Sequence, residues 1–70
     1  MTGADLKAWR HRNRYRQVDL QRELQLGSRA TISSWETSDD NLPRTLYLAL
    51  TALERMPELR NVDGYEKSYR

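Results

Sequence analysis

The stretch Gln17-Val-Asp-Leu-Gln-Arg-Glu-Leu-Gln-Leu-Gly-Ser-Arg-Ala-Thr-Ile-Ser-Ser-Trp-Glu36 decides the fold. Leu20 and Leu24 stand one helical turn apart, and Asp19 falls where a carboxylate complements the dipole of a helix start, so a helix is expected from Gln17 to about Gln25. Leu26 and Gly27 break that pattern, and Gly27 is the natural residue for a positive-φ turn. Ser28 then caps a third helix, in which Ile32 and Trp35 turn inward and Arg29, Ala30, Ser33, Ser34 and Thr37 occupy the other faces.

Upstream, Leu6 and Trp9 with Ala8 beside them predict a helix from Ala4 to about Arg12, with Thr2 as its N-cap. Trp9 and Trp35 are both expected in the core. Downstream, Ser38 to Asn41 is a polar loop, and Pro43 suits the first position of a helix. Leu46, Leu50 and Leu53, with Ala49 and Tyr47 nearby, give a fourth helix that ends before Pro57. Leu59, Val62, Tyr65 and Tyr69 are spaced at threes and fours, which fits a short fifth helix or an ordered tail, while Gly64 and the surrounding charges fit fraying equally. The expected architecture is all-α with four to five helices, residues 1–56 forming the domain and residues 57–70 a C-terminal extension.

Seventy residues, 37% hydrophobic and 31% charged, leave room for one core. A chain of this size buries roughly 60% of its unfolded surface, which argues against a deep enclosed active site. Without cysteine, and with His11 as its one imidazole, the chain is expected to hold no metal and no cofactor. Ser33-Ser34 has no base and no oxyanion loop beside it, three scattered glycines cradle no phosphate, and Asp39-Asp40 is a solvated pair, so an enzyme is not expected. No apolar run is long enough to span a membrane and the start lacks the order of a signal peptide, so the expected location is cytoplasmic and nucleoid-associated.

Charge is polarised along the chain. Residues 1–35 carry seven Lys or Arg against three acids, a surplus of four, and residues 36–70 carry five against seven, a deficit of two. A basic front half suits a polyanion, although a solvated basic face without a partner has the same composition. Arg10, Arg12, Arg14 and Arg16 alternate, so they cannot share one helical face.

Two short helices, a turn and a third helix with a small, polar outer face form a helix-turn-helix pattern, whose last helix fits a major groove about 12 Å wide. Gln17-Val-Asp-Leu-Gln-Arg-Glu-Leu24, Thr31-Ile-Ser-Ser-Trp-Glu36, Leu42-Pro-Arg-Thr-Leu-Tyr-Leu-Ala-Leu50 and Ala52-Leu-Glu54 together resemble the Xre/Cro/cI family of phage and bacterial repressors over roughly residues 4 to 55. The resemblance implies a lambda-repressor-like helix-turn-helix domain that binds double-stranded DNA. It implies that Arg29, Ala30 and Ser34 face base edges, and that Arg14, Arg16, Gln17, Ser28, Thr31, Ser33, Arg44 and Thr45 lie along the DNA backbone. Gln17 would cap the second helix and brace the third, and Arg10 and Glu36 would form a structural pair. Gln21 stands where the family usually has alanine and Gln25 where a turn glycine is common, so Gly27 is expected to take over the turn.

The implied function is a sequence-specific transcriptional regulator, a repressor that binds a palindromic operator as a homodimer and regulates its own synthesis. Met56, Leu59, Val62, Tyr65 and Tyr69 form the expected dimer stripe, the other reading being that they fold back on their own domain. Rival functions are an antitoxin or antiactivator that masks a protein partner, and a nonspecific architectural DNA binder.

Overall fold

A computed structural model describes residues 1–62. Among the described residues the chain is all-helical and contains no strand: α1 spans Gly3–Arg12, α2 Gln17–Glu23, α3 Arg29–Glu36 and α4 Arg44–Arg55, followed by a 3-10 turn at Pro57–Leu59. No helix is long and apolar enough to cross a membrane among these residues. Leu6, Trp9, Tyr15, Leu20, Ile32, Leu42, Leu46, Leu50 and Leu53 form one core, against which Met1, Leu24, Leu26 and Trp35 pack half-buried. Trp9 is therefore a core residue as expected, and Trp35 lies at the core's edge.

Each helix start has a local cause. At α1, Thr2 Oγ1 accepts from the Asp5 amide and Asp5 Oδ2 accepts from the Thr2 amide at 3.0 Å, a reciprocal capping box. At α2 the N-cap is Arg16 rather than Gln17, and the cap is supplied from inside the helix by Asp19, whose Oδ2 accepts the Arg16 amide at 2.9 Å. Tyr15, just before that cap, and Leu20, in the first turn, are both buried and staple the entry of α2. Ser28 Oγ accepts the Ala30 amide at 3.0 Å and caps α3. Pro43 precedes α4 as its N-cap, one place earlier than its expected position inside the helix.

The turns correct the sequence reading. α2 stops at Glu23, two residues short of its expected end, and Gln25, not Gly27, takes the left-handed conformation, with φ 56. The Leu26 amide donates to the Gln21 carbonyl and the Gln25 amide to the Arg22 carbonyl, which is the Schellman pattern. α1 ends the same way: Arg14 has φ 66, Tyr15 N–H bonds the Arg10 carbonyl and Arg14 N–H bonds that of His11. In both places a buried or half-buried side chain, Tyr15 or Leu26, follows the left-handed residue and offsets its strain by packing on the core. Gly27 has no positive φ, and a Cβ there would meet nothing.

Gly3 does the opposite. It is buried, and a Cβ there would run into the Trp35 carbonyl oxygen and come within 2.7 Å of the Glu36 carbonyl oxygen. The missing side chain is what lets the start of α1 lie against the end of α3. The Leu42 amide donates to the Met1 carbonyl at 2.8 Å, which ties the approach to α4 to the same region.

Candidate nucleic-acid interface

The candidate surface is built around α3. Ile32 is buried and faces the core; Ala30, Ser33, Ser34 and Thr37 point away from it, Arg29 stands at the flank in the first turn, and all five are exposed. Thr31 is half-buried. Arg29 has no ion-pair partner among the described residues. The C-terminal end of α3 is closed by Thr37, whose Oγ1 donates to the Ser33 carbonyl at 3.2 Å and the Ser34 carbonyl at 3.1 Å.

What holds α3 is the carboxylate of Glu36, its last residue. Glu36 Oε2 accepts from Arg10 Nε at 2.6 Å, and Oε1 accepts from Arg10 Nη2 at 3.2 Å and from Gln17 Nε2 at 3.1 Å. Arg10 also donates through Nη1 to the Tyr15 carbonyl at 2.9 Å. One carboxylate thus joins α1, α2 and α3, and both members of the ion pair are nearly inaccessible, with side chains 10% and 5% exposed. Burial raises the Glu36 carboxyl pKa, but the hydrogen bonds from Arg10 and Gln17 and the charge of Arg10 outweigh it, leaving the group below its ordinary value. The expected Arg10–Glu36 pair is formed, and Gln17 braces α3 through it.

The flanking residues sort into two groups. Gln17 and the start of α4 are tied to the C-terminal end of α3, the former through Glu36 and the latter through Met1 and Gly3. Arg44 and Thr45 are exposed at the start of α4, where the first amides point out of the helix. Arg14 is exposed on the turn after α1. Arg16 is directed onto Asp19, with Nε to Oδ2 at 2.9 Å and Nη2 to Oδ1 at 3.1 Å, while its side chain remains 55% exposed. Asp19 is itself buried; burial raises its pKa, and the hydrogen bonds and charge of Arg16 bring it below the ordinary value. Ser28 and Arg29 stand at the other end of α3, and the Ser28 hydroxyl is used as the cap. Arg12 bonds Glu54 at 2.9 Å on the surface, together with Asn13.

Of the five residues expected to form a dimer stripe, Met56 and Leu59 are exposed. Val62 is half-buried, and its amide donates to Glu23 Oε2 at 3.0 Å. Tyr65 and Tyr69 lie outside the described residues.

A cluster around Tyr15 was not foreseen from the sequence. Tyr15 stacks on Trp9 with ring centroids 5.7 Å apart, and its hydroxyl donates to Glu23 Oε2 at 3.0 Å. The Arg60 guanidinium lies over the Tyr15 ring at 5.2 Å and donates to Asn13 Oδ1 and the Leu53 carbonyl. Glu23 also accepts the Asn61 amide at 2.8 Å. Residues 60–62 are therefore strapped across the α1–α2 turn. The lone aromatic in the charged run Asn13 to Arg16 was the only sign of this cluster in the sequence. Compared with models of protein families, with curated proteins and with solved structures, the chain matches none of them.

Proposed function

We propose that α2 and α3 form a lambda-repressor-like helix-turn-helix and that the chain is a sequence-specific DNA-binding regulator, a repressor that occludes its operator. The observation that carries the reading is the presentation of α3: it is clamped at Glu36 and at Ile32, and its outer face is made of one arginine and small polar or methyl-sized side chains. Such a face fits a major groove without steric conflict and offers donors and acceptors to base edges. Arg29, Ala30 and Ser34 read bases in this reading. Gln17, Arg44 and Thr45 meet phosphates, with Arg14, Arg16, Ser28, Thr31 and Ser33 contributing along the backbone. Arg16 has to share its guanidinium with Asp19, so its phosphate contact is weaker than that of Arg44.

The test is selection from a random duplex pool with the purified protein at near-physiological salt. Enrichment of a palindromic site bound about 10³-fold or more above bulk DNA is expected. Absence of any enriched site would sink the reading and turn attention to a masked protein partner.

A further inference from the structure

Residues 60–62 reach α3 through a short series of contacts. Arg60 lies over the ring of Tyr15, which is only 1% exposed, and Glu23 accepts the Tyr15 hydroxyl together with the Asn61 and Val62 amides. The Tyr15 backbone is in turn bonded to Arg10 in both directions: its amide donates to the Arg10 carbonyl at 3.0 Å, and its carbonyl accepts from Arg10 Nη1 at 2.9 Å. Arg10 then carries the Glu36 carboxylate at the end of α3. Arg60, Tyr15, Arg10 and Glu36 thus lead from the segment after α4 to the last residue of α3.

The strap can open while the core stays closed. Met56, Pro57, Glu58 and Leu59, which join α4 to Arg60, are all exposed, and so is Asn61. What seats the strap is mainly polar: Arg60 Nε on the Leu53 carbonyl at 3.1 Å, Arg60 Nη2 on Asn13 Oδ1 at 2.7 Å, and two amides on Glu23. Val62, half-buried, is the one apolar residue of the three. A segment with so little apolar burial belongs to the low end of local opening free energies.

We propose that Arg60 is a positioning residue for α3, and that the docked strap is one state of a latch whose release loosens the Arg10–Glu36 clamp. The strap, docked or released, is the two-state element that such coupling requires. Docked, Arg60 and Glu23 hold the Tyr15 side chain, and the Tyr15 carbonyl stays in place for Arg10 Nη1. Released, the Tyr15 ring is uncovered, Asn13 and the Leu53 carbonyl lose the Arg60 donors, and the hold on Arg10 slackens. A pull on the chain beyond Val62 is then felt at α3 without any contact to α3 itself. This inference deepens the DNA-binding reading and rests on it for its purpose: the latch sets how firmly α3 is aimed at base edges.

The test follows the Glu36 carboxyl by NMR titration of the full chain without DNA, in wild type, Arg60→Ala and Asn61→Pro. The second variant takes the Asn61 amide away from Glu23 without removing a charge. It suits the backbone, because Arg60 has φ -73 and ψ 128, the extended conformation that a following proline demands. In wild type burial raises the Glu36 carboxyl, and the hydrogen bonds from Arg10 and Gln17 with the charges of Arg10 and Lys7 bring it below its ordinary value of 4.5. Both variants are expected to titrate closer to that value. A residue that merely adds stability leaves the titration of the folded protein where it is. On a selected operator, Asn61→Pro is expected to lower the ratio of operator to random-duplex affinity at least about fivefold, with random-duplex affinity unchanged. A Glu36 that titrates like wild type in either variant overturns the proposal, and so does an unchanged ratio on an operator that wild type selects. Because the titration contains no DNA, failed duplex selection removes the DNA reading and leaves the latch to be decided by Glu36.

Discussion

Arg10 Nε lies 2.6 Å from Glu36 Oε2, so the last residue of α3 is fixed by a guanidinium that starts on α1. Removing one partner of a buried pair leaves a desolvated charge, which typically costs about 3–5 kcal/mol. Arg10→Ala and Glu36→Ala are each expected to destabilise by about that amount in urea unfolding, and Arg10→Met with Glu36→Leu by less than either. A single-variant loss below about 1 kcal/mol would show that the pair behaves as a surface bridge.

Acid should weaken the fold through two carboxylates. Asp19 and Glu36 are held below their ordinary values of 3.8 and 4.5 because Arg10, Arg16 and Gln17 more than compensate for burial. A depressed folded-state pKa contributes stability that is complete above the unfolded value and is lost as pH falls through the folded one. Unfolding free energy should therefore decline below about pH 4.5, and Asp19→Asn should make the acid limb shallower. Tyr15 acts on the alkaline side: burial first, then the bond to Glu23, raises its pKa above the ordinary value of 10.0, so its share is complete below that value and declines as pH rises from there through the raised one. Urea titrations at a series of pH values check both limbs.

Gln25 occupies a left-handed position at φ 56, where a side chain costs roughly 1 kcal/mol or more relative to glycine. Gln25→Gly should stabilise the domain by about 1 kcal/mol, worth about 4–8 °C in thermal midpoint. Gly27→Ala, with open space at its Cβ, should be neutral or stabilising by up to about 1 kcal/mol. Opposite signs for the two would mean that the turn is built on Gly27 after all.

Gly3→Ala should be costly despite alanine's better helix propensity. The new methyl meets the carbonyls of Trp35 and Glu36, backbone atoms that cannot rotate away. A loss of about 1–3 kcal/mol is expected by thermal or urea unfolding. A gain would show that the α1–α3 junction yields freely.

On the proposed DNA reading, Arg29→Ala should reduce operator binding by about 1–3 kcal/mol and relax one base position. Arg44→Ala should weaken operator and random duplex alike and lower the salt slope by about 1. Anisotropy titrations over a salt series distinguish the two, and equal losses on both duplexes for Arg29→Ala would remove its base-reading role.

The helices were legible because their causes are local. Leucines one turn apart and the caps Thr2 and Ser28 set the elements to within two residues. The turns were not, because a left-handed glutamine costs only about as much as two hydrogen bonds and a packed Leu26 return, and no rule of composition announces that balance. The strap at Arg60 was illegible for another reason: it joins residues 47 positions apart, through a guanidinium and a ring that carry no periodic signal. The Arg10–Glu36 pair came from resemblance and not from pattern, and the exposed face of α3 followed once Ile32 was assigned inward.

The uneven holding of α3 makes it a cantilever. Its Glu36 end is bolted to two other helices, whereas the Ser28 cap at its other end belongs to the helix itself. An eight-residue helix is about 12 Å long, so a tilt of about 5° at the bolted end swings the Arg29 end through about 1 Å. That is a large fraction of the tolerance of a bidentate contact. On the proposed reading Arg10 meets neither base nor phosphate, so its substitution is expected to act as an aiming error that shifts which sequence is preferred.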